Sequence, residues 1–231
     1  MSEVFHYTGA MPSQVDKMVV YGTHEDSSTG LCQAVYRCPP GWSGARSPGV
    51  GRLETLYVLS GRGTLHREGG DHPLRPESAA LIVGSETYEI TAKDEMVLVS
   101  VSANTDPDNE GGAARAVMDL ADQYTQDAVS QREFQVLFDP ATGCSGVTQF
   151  LGYIPPIRTP MHYHPYSEMA FVVGGRGTVE IAGEVSAIGP GSCFYLPEGV
   201  HHRVENQHDG YLRLLGVFTP AGSPAQNFPV E

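Results

Sequence analysis

Positive charge is scarce in this chain: 14 Lys and Arg stand against 27 Asp and Glu, a formal net charge of −13 over 231 residues. Phosphate backbones are held by basic faces, so this balance argues against nucleic acid as a partner. Long apolar runs are missing as well. No stretch approaches the ~20 apolar residues of a membrane-spanning helix, and no membrane partner is expected. The opening MSEVFHYTGAMPSQVDK lacks the basic-then-apolar pattern of a secretory leader, which makes a cytoplasmic location the expectation. Cysteine is sparse: Cys32, Cys38, Cys144 and Cys193 lie far apart with no Cys-x-x-Cys. They read as reduced thiols serving as small buried hydrophobes. Low-complexity tracts are absent too, since the 27 Gly and 17 Pro are spread along the chain and punctuate turns. With 40% hydrophobic and 18% charged residues, what remains is a composition able to bury a core without covalent staples.

Short runs rich in Val, Ile, Tyr, Phe and Thr recur between those turns. They are VYRC (35–38), TLYVLS (55–60), ALIVG (80–84) and MVLVSVS (96–102), then VTQFLGYI (147–154), EMAFVV (168–173), CFYL (193–196) and YLRLLGVF (211–218). This is the pattern of an all-β protein with many short strands. One helical stretch is expected, RAVMDLAD over 115–122, inside a polar connector that runs from Asn104 to Gln131. The segments on either side repeat each other. LETLYVLSGRGTL (53–65) aligns with SEMAFVVGGRGTV (167–179), placing Glu54 on Glu168, and the same register carries Pro76 onto Pro190 and Ser78 onto Ser192. Upstream, PPG (39–41) meets PPI (155–157) if the first copy has two extra residues. Two copies of one β module follow, residues 1–112 and 113–231.

The second copy carries the chemistry. His162 and His164 are i and i+2 on an extended segment, so both imidazoles leave one face. Glu168 follows after the turn HPYSE at another even step, and His202 comes after the turn PEG, as expected of a later strand crossing opposite. Three imidazoles and one carboxylate form a mixed N/O shell suited to one divalent transition metal ion, Fe, Mn, Ni, Co or Zn. An octahedral ion in such a shell keeps two positions for water, substrate or dioxygen. His201, next to His202 on a strand, is expected to point the other way. Strand parity also faces Ala170, Val172, Val204 and Asn206 inward. Gln149, Tyr153, Arg158 and Tyr195 are the candidate substrate-binding residues, with Arg158 placed to meet a carboxylate.

His162-x-His164-x3-Glu168-x6-Gly175, followed by Gly191-x5-Pro197-x-Gly199-x2-His202-x3-Asn206, resembles both signature motifs of the cupin superfamily. The resemblance implies two double-stranded β-helix (jelly-roll) barrels in tandem, a bicupin, joined by the short helical connector. It implies His162, His164, Glu168 and His202 as metal ligands in the C-terminal barrel, and a homodimer. In the first copy Pro48 and Val50 stand where the two histidines would be and Tyr88 where His202 is, and only Glu54 survives. That N-terminal cupin is expected to hold no metal. One metal-bearing and one degenerate cupin is also the layout of ureidoglycine aminohydrolases. Their metal residues follow Glu-x-His-x3-His, whereas here the order is His-x-His-x3-Glu.

The expected function is that of a metal-dependent enzyme acting on a small organic molecule. The two open positions on a histidine-rich shell favour a dioxygenase-type oxidoreductase. The alternatives are a non-redox isomerase, lyase or hydrolase with Glu168 as catalytic base, or a non-catalytic binder of a sugar or small metabolite. The sequence has no helix-turn-helix segment appended to the repeats, which speaks against a transcription regulator.

Overall fold

The computed structural model describes residues 4–7, 19–26, 29–106 and 116–230. Each extended run of the sequence falls in a strand, and the β-branched and aromatic residues that mark those runs supply the buried faces. The described strands fold into two compact units. One holds the described residues up to Asp122 from Val19 onward, together with Pro140–Gly146. The other holds Val4–His6, Gln123–Asp139 and the described residues from Val147 on.

Each unit is a pair of antiparallel sheets. In the N-terminal unit the six-stranded sheet runs Val117–Asp119, Ser78–Val83, Arg52–Ser60, Met96–Asn104, Leu31–Cys38, Val19–Asp26. The four-stranded sheet of that unit runs Ser43–Arg46, Tyr88–Ala92, Gly63–Arg67, Gly70–Leu74. In the C-terminal unit the seven-stranded sheet runs Val4–His6, Ser192–Leu196, Ser167–Gly174, Leu212–Thr219, Thr148–Ile154, Glu133–Phe138, Gln126–Asp127. Its five-stranded sheet runs Glu184–Ile188, Gly177–Ile181, His202–Asn206, His162–Tyr163, Phe228–Pro229. Alternate side chains of the facing strands make the core, with Ala170, Val172, Val179, Phe194, Leu196, Val204 and Leu214 in one cluster. The shared GRGT tetrapeptide has a backbone reason. Gly61 and Gly175 sit at φ +81° and +84°, and a Cβ would lie 2.1 Å from Glu95 O in the first case and 2.7 Å from Leu212 Cα in the second.

Two expectations are corrected. The hydrogen-bonded ladders do not close into barrels: each described sheet is open and ends in edge strands, and the two sheets of a unit are joined by side-chain packing. No α-helix occurs among the described residues, so the described part of the connector is not helical. Arg115 and the 112/113 boundary lie outside the described residues. The rest of the connector forms the strand Val117–Asp119 and a single 3₁₀ turn, Leu120–Asp122. An open sheet edge captures the segment: Val117 pairs with Ala80, Met118 with Ala79 and Asp119 with Ser78. Met118 and Leu120 are buried at a spacing of two, the strand period, and a helix of eight residues has too few hydrogen bonds to persist without packing. No helix among the described residues is long and apolar enough to cross a membrane.

Candidate metal centre

His162 and His202 are direct cross-strand partners, and His164 lies two residues beyond His162, outside the two-residue strand. Their ring centroids are separated by 4.4 Å (162–202), 4.6 Å (164–202) and 5.1 Å (162–164). All three are buried, and each offers a ligand atom within 4.8 Å of the others. Two of the rings are oriented by backbone. Nδ1 of His162 donates to Pro160 O at 2.8 Å and Nδ1 of His202 donates to Val200 O at 2.9 Å, so both present Nε2 lone pairs. Nδ1 of His164 is buried without a hydrogen-bond partner and lies 3.5 Å from Oε2 of Glu168. An orphaned imidazole nitrogen beside two aimed lone pairs fits a metal ion, since buried polar atoms otherwise find partners. His201 is exposed, as alternation requires.

Burial sets the protonation of the cluster. Desolvation lowers His162 to about 4, against a smaller raising effect of the Pro160 carbonyl. Desolvation and then the charge of His162 lower His164 to about 3, and His202 is driven well below its ordinary value by burial and by both neighbours. Desolvation raises Glu168 to about 8, with Arg132 pulling the other way. At neutral pH the metal-free centre is therefore three neutral imidazoles beside a protonated carboxyl. Metal ligands must be unprotonated, so the histidines are ready and Glu168 must first release a proton.

The cluster opens on a small cavity of about 70 Å³. Its polar lining includes the three histidines, Glu168, Arg132, Glu133 and Asn227, and its walls are apolar, with Phe134, Phe150, Leu196 and Phe218 among them. Tyr166 stacks on His164 with centroids 5.1 Å apart and donates its hydroxyl to Ser223 O. Gly216 keeps room for the acid: a Cβ there would lie 2.4 Å from Phe150 Cζ and 2.8 Å from Glu168 Oε1.

The structure brings His162, His164, His202, Glu168 and Tyr153 to this cavity. The Tyr153 hydroxyl is turned to Gln135 Oε1, to which it donates. Gln149 is fully buried as the cross-strand partner of Val217 and is not among the lining residues. Tyr195 shares a hydrogen bond with Ser167 Oγ at 3.0 Å, and Arg158 pairs with Glu180 and Glu205 at 3.4 and 3.5 Å; neither lines the cavity. Asn206 locks a turn, its Nδ2 donating to Ile154 O and Gly210 O. Ala170, Val172 and Val204 pack in the core, and Val204 also lines the cavity. Sequence reasoning missed Arg132 and Gly216. Arg132 lies outside the repeat and carries no spacing signal, and nothing marks Gly216 among the other glycines.

The equivalent place in the N-terminal unit holds a different cluster. Arg46 is the cross-strand partner of Tyr88, as His162 is of His202, so Arg46 and not Pro48 takes the place of the first histidine. The two extra residues of the first copy fall after it. Arg46 donates through Nε to the Tyr88 oxygen (3.1 Å) and through a terminal nitrogen to that of Tyr36 (2.6 Å), and lies 3.8 Å from Glu54. Glu54 accepts from Tyr88 and Ser100. A guanidinium stands against the surviving carboxylate.

The cupin-domain family profile matches residues 153–218. The chain is 37% identical over 60 residues to an uncharacterized protein of Streptomyces coelicolor, covering 26% of this chain and 56% of that one. It is 30% identical over 92 residues to the polyketide synthase CurC of Streptomyces cyaneus, covering 38% and 59%. The chain thus matches little more than half the length of these relatives. Among solved structures, a cupin 2 conserved barrel domain protein from Leptotrichia buccalis superposes with a TM-score of 0.67 at 13% identity, over 94% of this chain and 96% of that one. A deletion mutant of Bacillus subtilis oxalate decarboxylase gives 0.74 at 13% identity over 95% and 78%. The formate complex of Lactobacillus farciminis oxalate decarboxylase gives 0.74 at 11% identity over 99% and 88%. Two sheet pairs repeated in tandem, the histidine motif and these likenesses lead to one assignment: the chain has a bicupin fold, residues 153–218 match the cupin domain, and the C-terminal unit holds a buried histidine cluster capable of binding a divalent metal.

Proposed function

We propose that this bicupin is a metal-dependent enzyme acting on a small organic acid by a non-redox, lyase-type step, with decarboxylation as the model reaction. The observation that carries the reading is the buried cluster of His162, His164 and His202 beside Glu168 in a cavity of about 70 Å³. Its likeness in fold to oxalate decarboxylases supports the same reading. His162, His164 and His202 would hold a divalent first-row ion, with Glu168 as fourth ligand. When bound, the ion would supply a Lewis acid for negative charge developing on substrate oxygen. The chain's own residues account for the rest. Phe134, Phe150, Leu196 and Phe218 restrict water, which strengthens every electrostatic interaction inside. As a ligand Glu168 would be deprotonated, and it could act as acid or base on the substrate only when not holding the ion. In a decarboxylation the C–C electron pair stays on the substrate carbon as carbon dioxide leaves, and one proton restores neutrality. Glu168, when not holding the ion, would deliver it. The dioxygenase reading rests on open coordination positions alone, and a proton donor in the cavity is not something it requires.

The test is metal analysis followed by a screen of small mono- and dicarboxylates, monitoring carbon dioxide release and oxygen together. Metal-dependent release without net oxygen consumption supports the proposal. Stoichiometric oxygen uptake would replace it with the dioxygenase, and absence of turnover with every first-row ion would leave a binding protein. The same reading takes 1–112 and 113–231 as the two sequence copies and a homodimer as the working assembly, which light scattering tests.

A further inference from the structure

Arg132 has no role in holding a metal, yet it lines the cavity beside the histidines. It ends a tight hairpin between Gln126–Asp127 and Glu133–Phe138, closed by Ala128 N donating to Arg132 O at 2.8 Å. The two residues before it, Ser130 and Gln131, have φ of 62° and 60°. They are the last two of the three loop residues between Ala128 and Arg132, and their left-handed conformation is one normally taken by Gly or Asn. Side chains with a Cβ are strained there, and such strain gathers where a neighbouring group must be aimed. The turn also fixes the guanidinium. Nε donates to Val129 O at 3.0 Å, and among the described residues the two terminal nitrogens make no hydrogen bond and no ion pair.

Glu168 and the three histidines line the same cavity, and none of them makes a hydrogen bond or ion pair with the guanidinium. Glu133, the remaining acid of the lining, is engaged by the hydroxyl of Tyr211. The guanidinium is half-buried at the cavity, no described residue hydrogen-bonds its two terminal nitrogens, and Glu168 acts on it through charge alone, so the fork can take a further anionic partner. A planar fork of N–H donors matches a carboxylate in two parallel hydrogen bonds.

We infer that Arg132 is the substrate-positioning residue of the cavity, its terminal nitrogens holding a carboxylate of the substrate while the histidine cluster faces the reacting end. The inference rests on the small-acid reading above and deepens it. Size narrows the class: a water needs about 10–15 Å³ of cavity, so about 70 Å³ admits about five to seven such groups, a short-chain acid.

The experiment separates this inference from the turnover question by using metal-free protein. Acetate, with acetamide as the uncharged isostere, is titrated against wild type, Arg132→Gln and Arg132→Lys, with binding read by calorimetry and thermal shift. Wild type binds acetate at least tenfold more tightly than acetamide. Arg132→Gln loses that preference, about 10- to 100-fold in acetate affinity, and Arg132→Lys recovers part of it. Metal uptake by wild type and both variants, measured separately, stays equal, and in any acid turnover Arg132→Gln raises KM by more than it lowers kcat. Two results would overturn the inference: no preference for acetate in wild type, or a preference retained in Arg132→Gln. If acetate binds through Arg132 but no acid is turned over, the positioning role stands and the lyase reading falls.

Discussion

Substituting Arg46 by Met removes the cation from the N-terminal cluster while keeping most of its apolar stem. Glu54 is left with its side chain 5% exposed and with two hydroxyl donors, Tyr88 and Ser100, but no counter-charge. Breaking a fully buried pair by removing one partner costs about 3–5 kcal/mol. Here the Arg46 side chain is 29% exposed and stands 3.8 Å from the carboxylate, so water screens part of the interaction and the two hydroxyls retain some of it. The expected loss is about 2–3 kcal/mol. The chain's single Trp, Trp42, packs against the N-terminal core, so its fluorescence in a urea titration reports on this unit. Arg46→Met with Glu54→Gln removes both charges and should recover at least about 1 kcal/mol relative to the sum of the single losses. A loss below about 0.5 kcal/mol for Arg46→Met, or a double variant no better than additive, refutes the view that guanidinium and carboxylate stabilise one another in that core.

In the C-terminal unit, His162→Ala should abolish stoichiometric metal binding measured by elemental analysis while far-ultraviolet circular dichroism stays that of a β protein, and Glu54→Gln should leave metal content unchanged. Metal-free protein should be most stable near pH 6.5. The histidines, lowered from 6.5 to about 4 or below, contribute stability that is present above 6.5 and lost as pH falls. Glu168, raised from 4.5 to about 8, contributes stability that is present below 4.5 and lost as pH rises, at about 1.4 kcal/mol per pH unit between 6.5 and 8. Thermal melts across that range check both slopes. Calorimetry at pH 7 in buffers of different ionisation enthalpy should find about 0.9 proton released per metal bound if Glu168 is a ligand, and none in Glu168→Gln. Gly216→Ala should cost about 1–3 kcal/mol by overpacking Phe150 and weaken metal affinity by displacing Glu168, read by thermal melts and metal titration.

The strands and the metal cluster were legible because both rest on local periodicity. A period of two puts His162 and His164 on one face, and the turns HPYSE and PEG restore Glu168 and His202 to the same interior. The degenerate copy was legible only in outline. Glu54 and Tyr88 followed from the shared register, but two inserted residues hid Arg46, whose equivalence to His162 shows only in its pairing with Tyr88. The expected helix failed because Met118 and Leu120 found an open sheet edge, a partner that no local pattern displays.

What the sequence determined by itself was therefore the repeat, the sheet-forming segments and the histidine cluster, all carried by residues close together in the chain or at a constant offset. Tertiary structure alone decided the rest: Val4–His6 pairs with Ser192–Phe194 from the far end of the chain, Arg132 enters the cavity from a separate hairpin, and Gly216 clears the space for Glu168. Their neighbours are distant in sequence, and which of them meet is settled by packing two sheets face to face, a choice that periodicity along one strand does not encode.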